Sequence, residues 1–134
     1  TTIEKFEKRI PIARENFERA GETGRITLLE GDAAALLKEL KGNTFQLIFM
    51  DAAKGQYLNW LPDVMELLSE GGVLISDNVL QEGDIVESRF AVERRNRTIH
   101  SRMREYLYEL THRDDLETAI IPIGDGVAIS TRVK

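Results

Sequence analysis

The sequence has 134 residues, 42% of them hydrophobic, which is enough chain to bury the core of one domain. It contains no cysteine, which excludes disulfides, thiolate nucleophiles and thiolate metal sites, and its net charge of −5 argues against nucleic-acid binding by the whole surface. No apolar run approaches the roughly 18 to 20 residues that cross a bilayer, and the start "TTIEKFEKR" lacks the apolar core of a signal peptide, so we expect a soluble, cytoplasmic protein.

The first part of the chain alternates between strand and helix patterns. A short β-branched start leads into a helical pattern that ends before Gly21, and the pattern of Ile26 to Glu30 predicts a second strand. Asp32 then fits the N-cap of an Ala- and Leu-rich helix that Gly42 closes. The apolar run from Phe45 to Met50 predicts a third strand.

The second part continues this alternation and then changes character. The pattern predicts a helix over about 57–68, a turn at Gly71-Gly72, and a strand from Val73 to Ser76. A polar, irregular stretch precedes a long helix that ends near Thr111, and the closing "LETAIIPIGDGVAISTRV" predicts a hairpin about its "GDG" turn. Continuous apolar strands alternating with helices favour a doubly wound α/β fold with parallel strands in a single domain over residues 1–134.

Acidic and amide side chains follow the predicted strands. They are Glu4, Asp32, Asp51 and the pair Asp77-Asn78. In an open α/β sheet, ligands bind beyond the carboxyl ends of the strands, so the recurrence indicates a shared site rather than chance surface acids. Asp51, Asp77 and Asn78 offer only hard oxygen donors, which suit a magnesium-like ion. The alternative for Asn78 is a turn residue that bonds its own backbone.

Lys54 lies three residues after Asp51 and has two interpretations. It could pair with that aspartate, or it could act as a base beside a bound cation. The simpler alternative is an ordinary surface lysine.

Three stretches resemble one family. "IFMDAAKGQY", "LISDNVL" and "IPIGDGVAIS" are similar to segments of the cation-dependent O-methyltransferases that use S-adenosylmethionine (SAM), a group that includes catechol and caffeoyl-coenzyme A O-methyltransferases and small bacterial relatives. The resemblance implies a Rossmann-like methyltransferase sheet, mostly parallel, with an antiparallel C-terminal hairpin. It covers essentially the whole chain.

The resemblance also implies roles for individual residues. Mg²⁺ or Mn²⁺ would be held by Asp51, Asp77 and Asn78, and Lys54 would be the catalytic lysine. Cofactor binding is implied for Glu4, which would hold the ribose hydroxyls, for Asp32 and Ala33 beside the adenine, and for Asp51. The implied reaction is in-line transfer of the sulfonium methyl group to a substrate oxygen.

One part of the family pattern is missing from the sequence. The family places a first strand and a glycine-rich turn before the segment that corresponds to Thr1, and neither occurs here. The expectation is therefore an N-terminally incomplete methyltransferase domain that lacks its first strand and binds SAM poorly. Two strands at the centre of the sheet would then pair with each other, borrow a strand or lie exposed.

A basic segment bears on the methyl acceptor. "RFAVERRNRTIHSRMR" carries arginines that could neutralise phosphates or form a solvated helix face or subunit contact, namely Arg89, Arg94, Arg95, Arg97, Arg102 and Arg104. The segment is similar to that of bacterial members that methylate 5-hydroxyuridine in tRNA, which implies Arg94 and Arg95 as substrate residues. The alternative acceptor is a small catechol-like or caffeoyl-CoA-like compound. Tyr57 is expected to line the acceptor pocket, and His100 and Trp60 are expected to serve packing.

Two interpretations from other classes stay open at this point. A phospho-relay receiver domain also ends an apolar strand on aspartate, as in "LIFMDAAKG", although Asp77-Asn78 replaces the hydroxyl residue that such a domain needs. A non-catalytic interaction module would fit the missing first strand. Relatives in the resembling family are commonly dimers, so a homodimer without membrane contact is expected.

Overall fold

The structure is a computed structural model that describes residues 1–86, 88, 90 and 92–134, without the side chains of residues 81, 82, 84 and 95. The chain divides into two compact units, 1–41 and 42–134, which we call the N-terminal and C-terminal units. None of the helices in these described ranges is long and apolar enough to cross a membrane.

The N-terminal unit contains two strands and two helices in alternation. In chain order they are β1 (Thr2–Glu4), α1 (Ile10–Arg19), β2 (Leu28–Glu30) and α2 (Ala33–Glu39). The two strands pair in parallel, with Glu4 opposite Glu30. β2 begins two residues later than the sequence predicts, because the amide of Ile26 bonds the carbonyl oxygen of Glu22 in a preceding turn.

The C-terminal unit is a four-stranded mixed sheet with two helices. Its elements are β3 (Phe45–Met50), α3 (Tyr57–Leu67), β4 (Leu68–Asp77), α4 (Arg97–His112), β5 (Leu116–Ile121) and β6 (Val127–Arg132). The strand order is β3-β4-β6-β5, in which β3 and β4 are parallel and the β5–β6 hairpin joins β4 in antiparallel orientation. The α/β class, the parallel strands and the C-terminal antiparallel hairpin are therefore confirmed.

The core of this unit lies on one face of the sheet. α4 contributes His100, Met103, Tyr106 and Leu110, all buried at the three- and four-residue steps of one helix face. From the sheet, alternate residues of β4 and β6 are buried, among them Ser76, whose hydroxyl bonds that of Tyr106 at 2.6 Å. The packing role expected of His100 is thus observed.

β4 is longer than the sequence predicts. The glycine pair Gly71-Gly72 was expected to make a turn, but both residues lie within the strand. Gly71 has φ +73°, and the pairing with β3 shifts register between Phe45 and Leu47. The glycines therefore allow a bulged part of a continuous strand, and α3 passes directly into β4.

Candidate active site

The carboxyl ends of β3 and β4 lie side by side at one edge of the sheet. The parallel register places Met50 opposite Ser76, so the next residues along the two strands are Asp51 and Asp77. Asp51 is exposed and Asp77 is half-buried. The strand-tip arrangement expected from the sequence is therefore present for this pair.

The hydroxyl of Tyr57 holds these two strand ends together. It shares its hydrogen between the carbonyl oxygens of Met50, at 3.0 Å, and Asp77, at 3.2 Å, and it accepts from the amide of Ala52 at 3.1 Å. The backbone on both sides of Asp51 is thus fixed to the backbone of Asp77 through one side-chain oxygen. A sequence gives no signal for such a bond, because it joins residues that only the fold brings together.

Tyr57 does not have the position expected of a residue that lines an acceptor pocket. Its side chain is 0% exposed, and its ring packs edge-on against Tyr106 with centroids 5.4 Å apart. Burial raises the pKa of Tyr57; the amide of Ala52 opposes this effect, and the charges of Asp51 and Asp77 add to it. Tyr57 therefore stays protonated and supports the strand ends from beneath.

Asn78 is held in an unusual backbone conformation directly after Asp77. Its φ is +56°, in the left-handed region that asparagine tolerates better than most residues. The Asp77 carboxylate accepts from the Asn78 amide through Oδ1 at 2.8 Å, and the Asn78 side-chain Nδ2 donates to Asp125 Oδ2 at 3.3 Å. Asn78 is thus both a turn residue and a side chain fixed by a second loop.

Lys54 begins a short 3₁₀ turn, Lys54–Gln56, that follows the Asp51 tip. The turn is joined to α4 by Arg102, whose Nη1 donates to the carbonyl oxygen of Gly55 at 2.8 Å. Lys54 itself is half-buried. The sequence left Arg102 open between phosphate binding and a solvated face or subunit contact, whereas in the fold it bonds the turn that carries Lys54.

The donor set suits a hard cation through two carboxylates and one amide. Within the described ranges, no group of three or more acidic or histidine side chains could hold a metal ion. Beside the two carboxylates, the Asn78 amide oxygen is a donor of another type at this edge. Asp77 accepts from the Asn78 backbone through Oδ1, and among the described residues no hydrogen bond to its Oδ2 is seen.

The remaining predicted site residues belong to the N-terminal unit. Glu4 ends β1, and its Oε1 accepts from the amide of Phe6 at 2.8 Å. Asp32 caps α2 as expected: its Oδ1 accepts from Ala34 at 2.9 Å, and its Oδ2 accepts from Lys5 at 3.2 Å. The bond from the Ala34 amide, then that from Lys5, lowers the pKa of Asp32. Ala33 is the first residue of α2.

The basic segment does not form one uniform surface. Arg97 donates to the carbonyl oxygens of Val92, at 3.2 Å, and Phe90, at 3.4 Å. Arg97 and Arg102 thus both bond backbone carbonyl oxygens of this chain. Arg94 is exposed. Arg89 and the side chain of Arg95 lie outside the described residues.

Comparison with known proteins identifies the family. A family model described as O-methyltransferase matches residues 1–133. The chain belongs to this O-methyltransferase family. It is 33% identical to a caffeoyl-CoA O-methyltransferase of Citrus natsudaidai over 91% of this chain and 58% of that protein. It is 27% identical to the O-methyltransferase ankF of Aspergillus thermomutatus over 96% of this chain and 57% of that protein.

A solved methyltransferase structure is also similar to this chain. The methyltransferase PaMTH1 of Podospora anserina, whose structure holds SAH, superposes with a TM-score of 0.82 at 28% identity, covering 98% of this chain and 59% of that chain. The chain thus spans a little over half the length of these three proteins. Membership in the O-methyltransferase family excludes the receiver-domain interpretation.

Proposed function

We propose that the protein containing this chain is a SAM-dependent O-methyltransferase that methylates a hydroxyl group adjacent to a second oxygen. The observation that carries the proposal is the triple contact of the Tyr57 hydroxyl, which sets Asp51 and Asp77 side by side at neighbouring strand tips. Family membership supports the reaction type, and the SAH in the Podospora relative supports the cofactor.

The residues proposed for the cofactor are Glu4, Asp32, Ala33 and Asp51. The Glu4 carboxylate can accept from vicinal ribose hydroxyls, since a carboxylate offers two acceptor oxygens. Asp32 already uses both oxygens, for the α2 cap and for Lys5. Its proposed contribution is therefore to hold the backbone at Ala33 in place beside the adenine.

A divalent cation, Mg²⁺ or Mn²⁺, is proposed to be held by Asp51, Asp77 and the Asn78 amide oxygen. When bound, such an ion supplies positive charge that orients two adjacent acceptor oxygens and favours the ionised form of the reacting hydroxyl. Hard oxygen donors are the ligands that these ions prefer.

Lys54 is proposed to be the base that removes the proton of the acceptor hydroxyl. In its neutral form the amine would take the proton of the acceptor hydroxyl as the oxygen attacks the methyl carbon. The new bond joins carbon to the acceptor oxygen, the bond from carbon to the sulfonium sulfur breaks, and SAH leaves with the electron pair. The bond from Arg102 to the Gly55 carbonyl oxygen ties the 3₁₀ turn that carries Lys54 to α4.

Two acceptor classes follow from this chemistry. A small hydroxylated aromatic of the catechol or caffeoyl-CoA type is proposed first, because a curated relative is a caffeoyl-CoA O-methyltransferase and two arginines of the basic segment bond backbone carbonyl oxygens rather than the backbone of an RNA. The 5-hydroxyuridine of tRNA also offers a hydroxyl beside a carbonyl oxygen, and the exposed Arg94 keeps it as the second candidate.

The test is a methyl-transfer assay with radiolabelled SAM on the intact protein. Catechol, caffeoyl-CoA and hydroxyuridine-containing tRNA are offered separately, with Mg²⁺ and with EDTA. We expect transfer that EDTA abolishes and that Asp51→Asn or Asp77→Asn lowers by more than about 100-fold, since even second-shell changes at metal sites cost about 10- to 100-fold. Asp114→Asn removes the same charge at an exposed position and should leave transfer unchanged.

The outcomes separate the candidates. Transfer to tRNA but to neither small aromatic would reverse the order of acceptors. Methylation that persists in EDTA would contradict the proposed dependence on a divalent cation. SAM binding without transfer to any acceptor, or no SAM binding, would favour the interaction-module interpretation.

A further inference from the structure

The turn between β5 and β6 reaches the residues that follow β4. The amide of Val79 donates to the carbonyl oxygen of Gly126 at 3.0 Å, and the amide of Leu80 donates to that of Asp125 at 2.8 Å. With the side-chain bond from Asn78 to Asp125, three hydrogen bonds join the two loops. They hold Asn78 in its left-handed conformation.

Gly126 makes this close approach feasible. A Cβ atom added there would lie 2.2 Å from Cγ of Leu80, and its φ of +82° disfavours any L side chain. The "GDG" turn therefore places the Asp125 carboxylate against Asn78 because the next residue has no side chain.

The bond to Asp125 decides which atom of the Asn78 amide is free. A carboxylate can only accept, so the group that faces it must be the Nδ2 amine. If the amide were flipped, Oδ1 of Asn78 would face Oδ2 of Asp125, and two acceptor oxygens would repel each other. Oδ1 of Asn78 is therefore the amide atom that does not face Asp125, and the hydrogen bond from Nδ2 to a carboxylate makes that oxygen more negative.

We infer that Asp125 is a positioning residue for the proposed cation: it orients the Asn78 amide so that Oδ1, rather than Nδ2, is presented to the ion. The inference rests on the proposed function, in which Asn78 is the third oxygen ligand beside Asp51 and Asp77. No strand-tip pattern singles out Asp125, since it lies 47 residues from Asn78 in a hairpin turn.

The test measures Mn²⁺ binding directly, by the EPR signal of the free ion, without SAM or acceptor. Asp125→Ala should weaken Mn²⁺ binding about 10- to 100-fold, the range for outer-shell partners of metal ligands. Asp125→Asn keeps an acceptor oxygen for the Nδ2 group and should bind within about threefold of wild type. Asp114→Asn is the charge control, because it removes the same charge two residues before β5 begins, at the end of the hairpin far from its turn.

A second readout does not involve the ion. In ¹⁵N NMR spectra, the side-chain NH₂ signals of Asn78 should move upfield in Asp125→Ala and keep their positions in Asp125→Asn. Urea unfolding of each variant shows that it is folded.

The outcomes distinguish the inference from the proposal beneath it. Failure of the wild-type protein to bind Mn²⁺ would overturn the cation site itself. If the wild type and Asp125→Ala bind Mn²⁺ equally well, Asp125 does not orient Asn78. The same conclusion follows if Asp125→Asn and Asp125→Ala bind Mn²⁺ equally weakly.

Discussion

At the scale of single residues, the site is positioned by side chains that would not contact the reacting atoms. The Tyr57 hydroxyl fixes the backbone of Asp51 and Asp77, and Asp125 fixes the Asn78 amide. Each does so through hydrogen bonds to polar groups at the edge of the core. Removing either group should therefore affect stability and ligand geometry together.

Tyr57→Phe tests the first of these supports. The change leaves the packing of the ring intact but deprives the carbonyl oxygens of Met50 and Asp77 and the amide of Ala52 of their common partner. We expect a loss of about 1 to 3 kcal/mol in the free energy of unfolding, the usual cost of an unsatisfied buried group, measured by urea denaturation. Mn²⁺ affinity should fall as well, because the strand tips are no longer tied.

The matched control is Tyr108→Phe, which removes the same atom from a ring that is 60% exposed. It should change stability by less than about 0.5 kcal/mol, as surface substitutions do. Equal losses in the two variants would show that the Tyr57 hydroxyl has no special role.

Two buried tyrosines, Tyr57 and Tyr106, should contribute to the loss of stability at alkaline pH. Burial raises the pKa of both Tyr57 and Tyr106 above the value of about 10 found in unfolded chains. The folded state therefore holds these protons more tightly, so their contribution is complete below about pH 10 and is lost as the pH rises through the folded pKa values. Tyr57→Phe should make this alkaline decline less steep.

At the scale of elements, local signals predicted more of the structure than of the site. The bounds of β3, the Asp32 cap and the closing hairpin are visible in the sequence because each depends on neighbouring residues. The predicted extent of β4 was wrong, because a Gly-Gly pair indicates a turn unless the partner strand is known. The contacts from Arg102 to Gly55 and from Asn78 to Asp125 each span 47 residues, so no local sequence pattern predicts them.

Arg102→Ala tests whether α4 holds the Lys54 turn in place. The bond from its guanidinium to the Gly55 carbonyl oxygen joins two elements, and without it the turn keeps its local backbone bonds from Gln56 to Ala53 and from Tyr57 to Lys54. We expect hydrogen–deuterium exchange over residues 53–57 to become at least about tenfold faster, which corresponds to about 1.4 kcal/mol of local stability.

Arg94→Ala removes the same charge from an exposed side chain and should leave exchange over 53–57 unchanged. Faster exchange in both variants would point to a general effect of charge. Unchanged exchange in Arg102→Ala would mean that the turn is stable without α4.

At the scale of the whole molecule, the C-terminal sheet leaves one strand partly uncovered. β3 is the end strand of this sheet, and in the described part of the chain only β4 pairs with it. Its Leu47 and Phe49 are 59% and 60% exposed on the face opposite Met50, although the apolar run had predicted a strand buried on both faces. An end strand with exposed apolar side chains is a template for pairing with another chain.

We therefore expect the 134-residue chain to self-associate through β3, with a sedimentation coefficient that rises with protein concentration. Leu47→Lys combined with Phe49→Lys should shift the population to monomer, because charged side chains on an edge strand oppose strand pairing. Ile12→Lys combined with Val86→Lys adds the same charge at positions that are 57% and 80% exposed outside the strands. If both double variants dissociate equally, charge repulsion rather than the uncovered strand governs association. If neither dissociates, the copies meet through another surface, and the expected homodimer would have to be sought there.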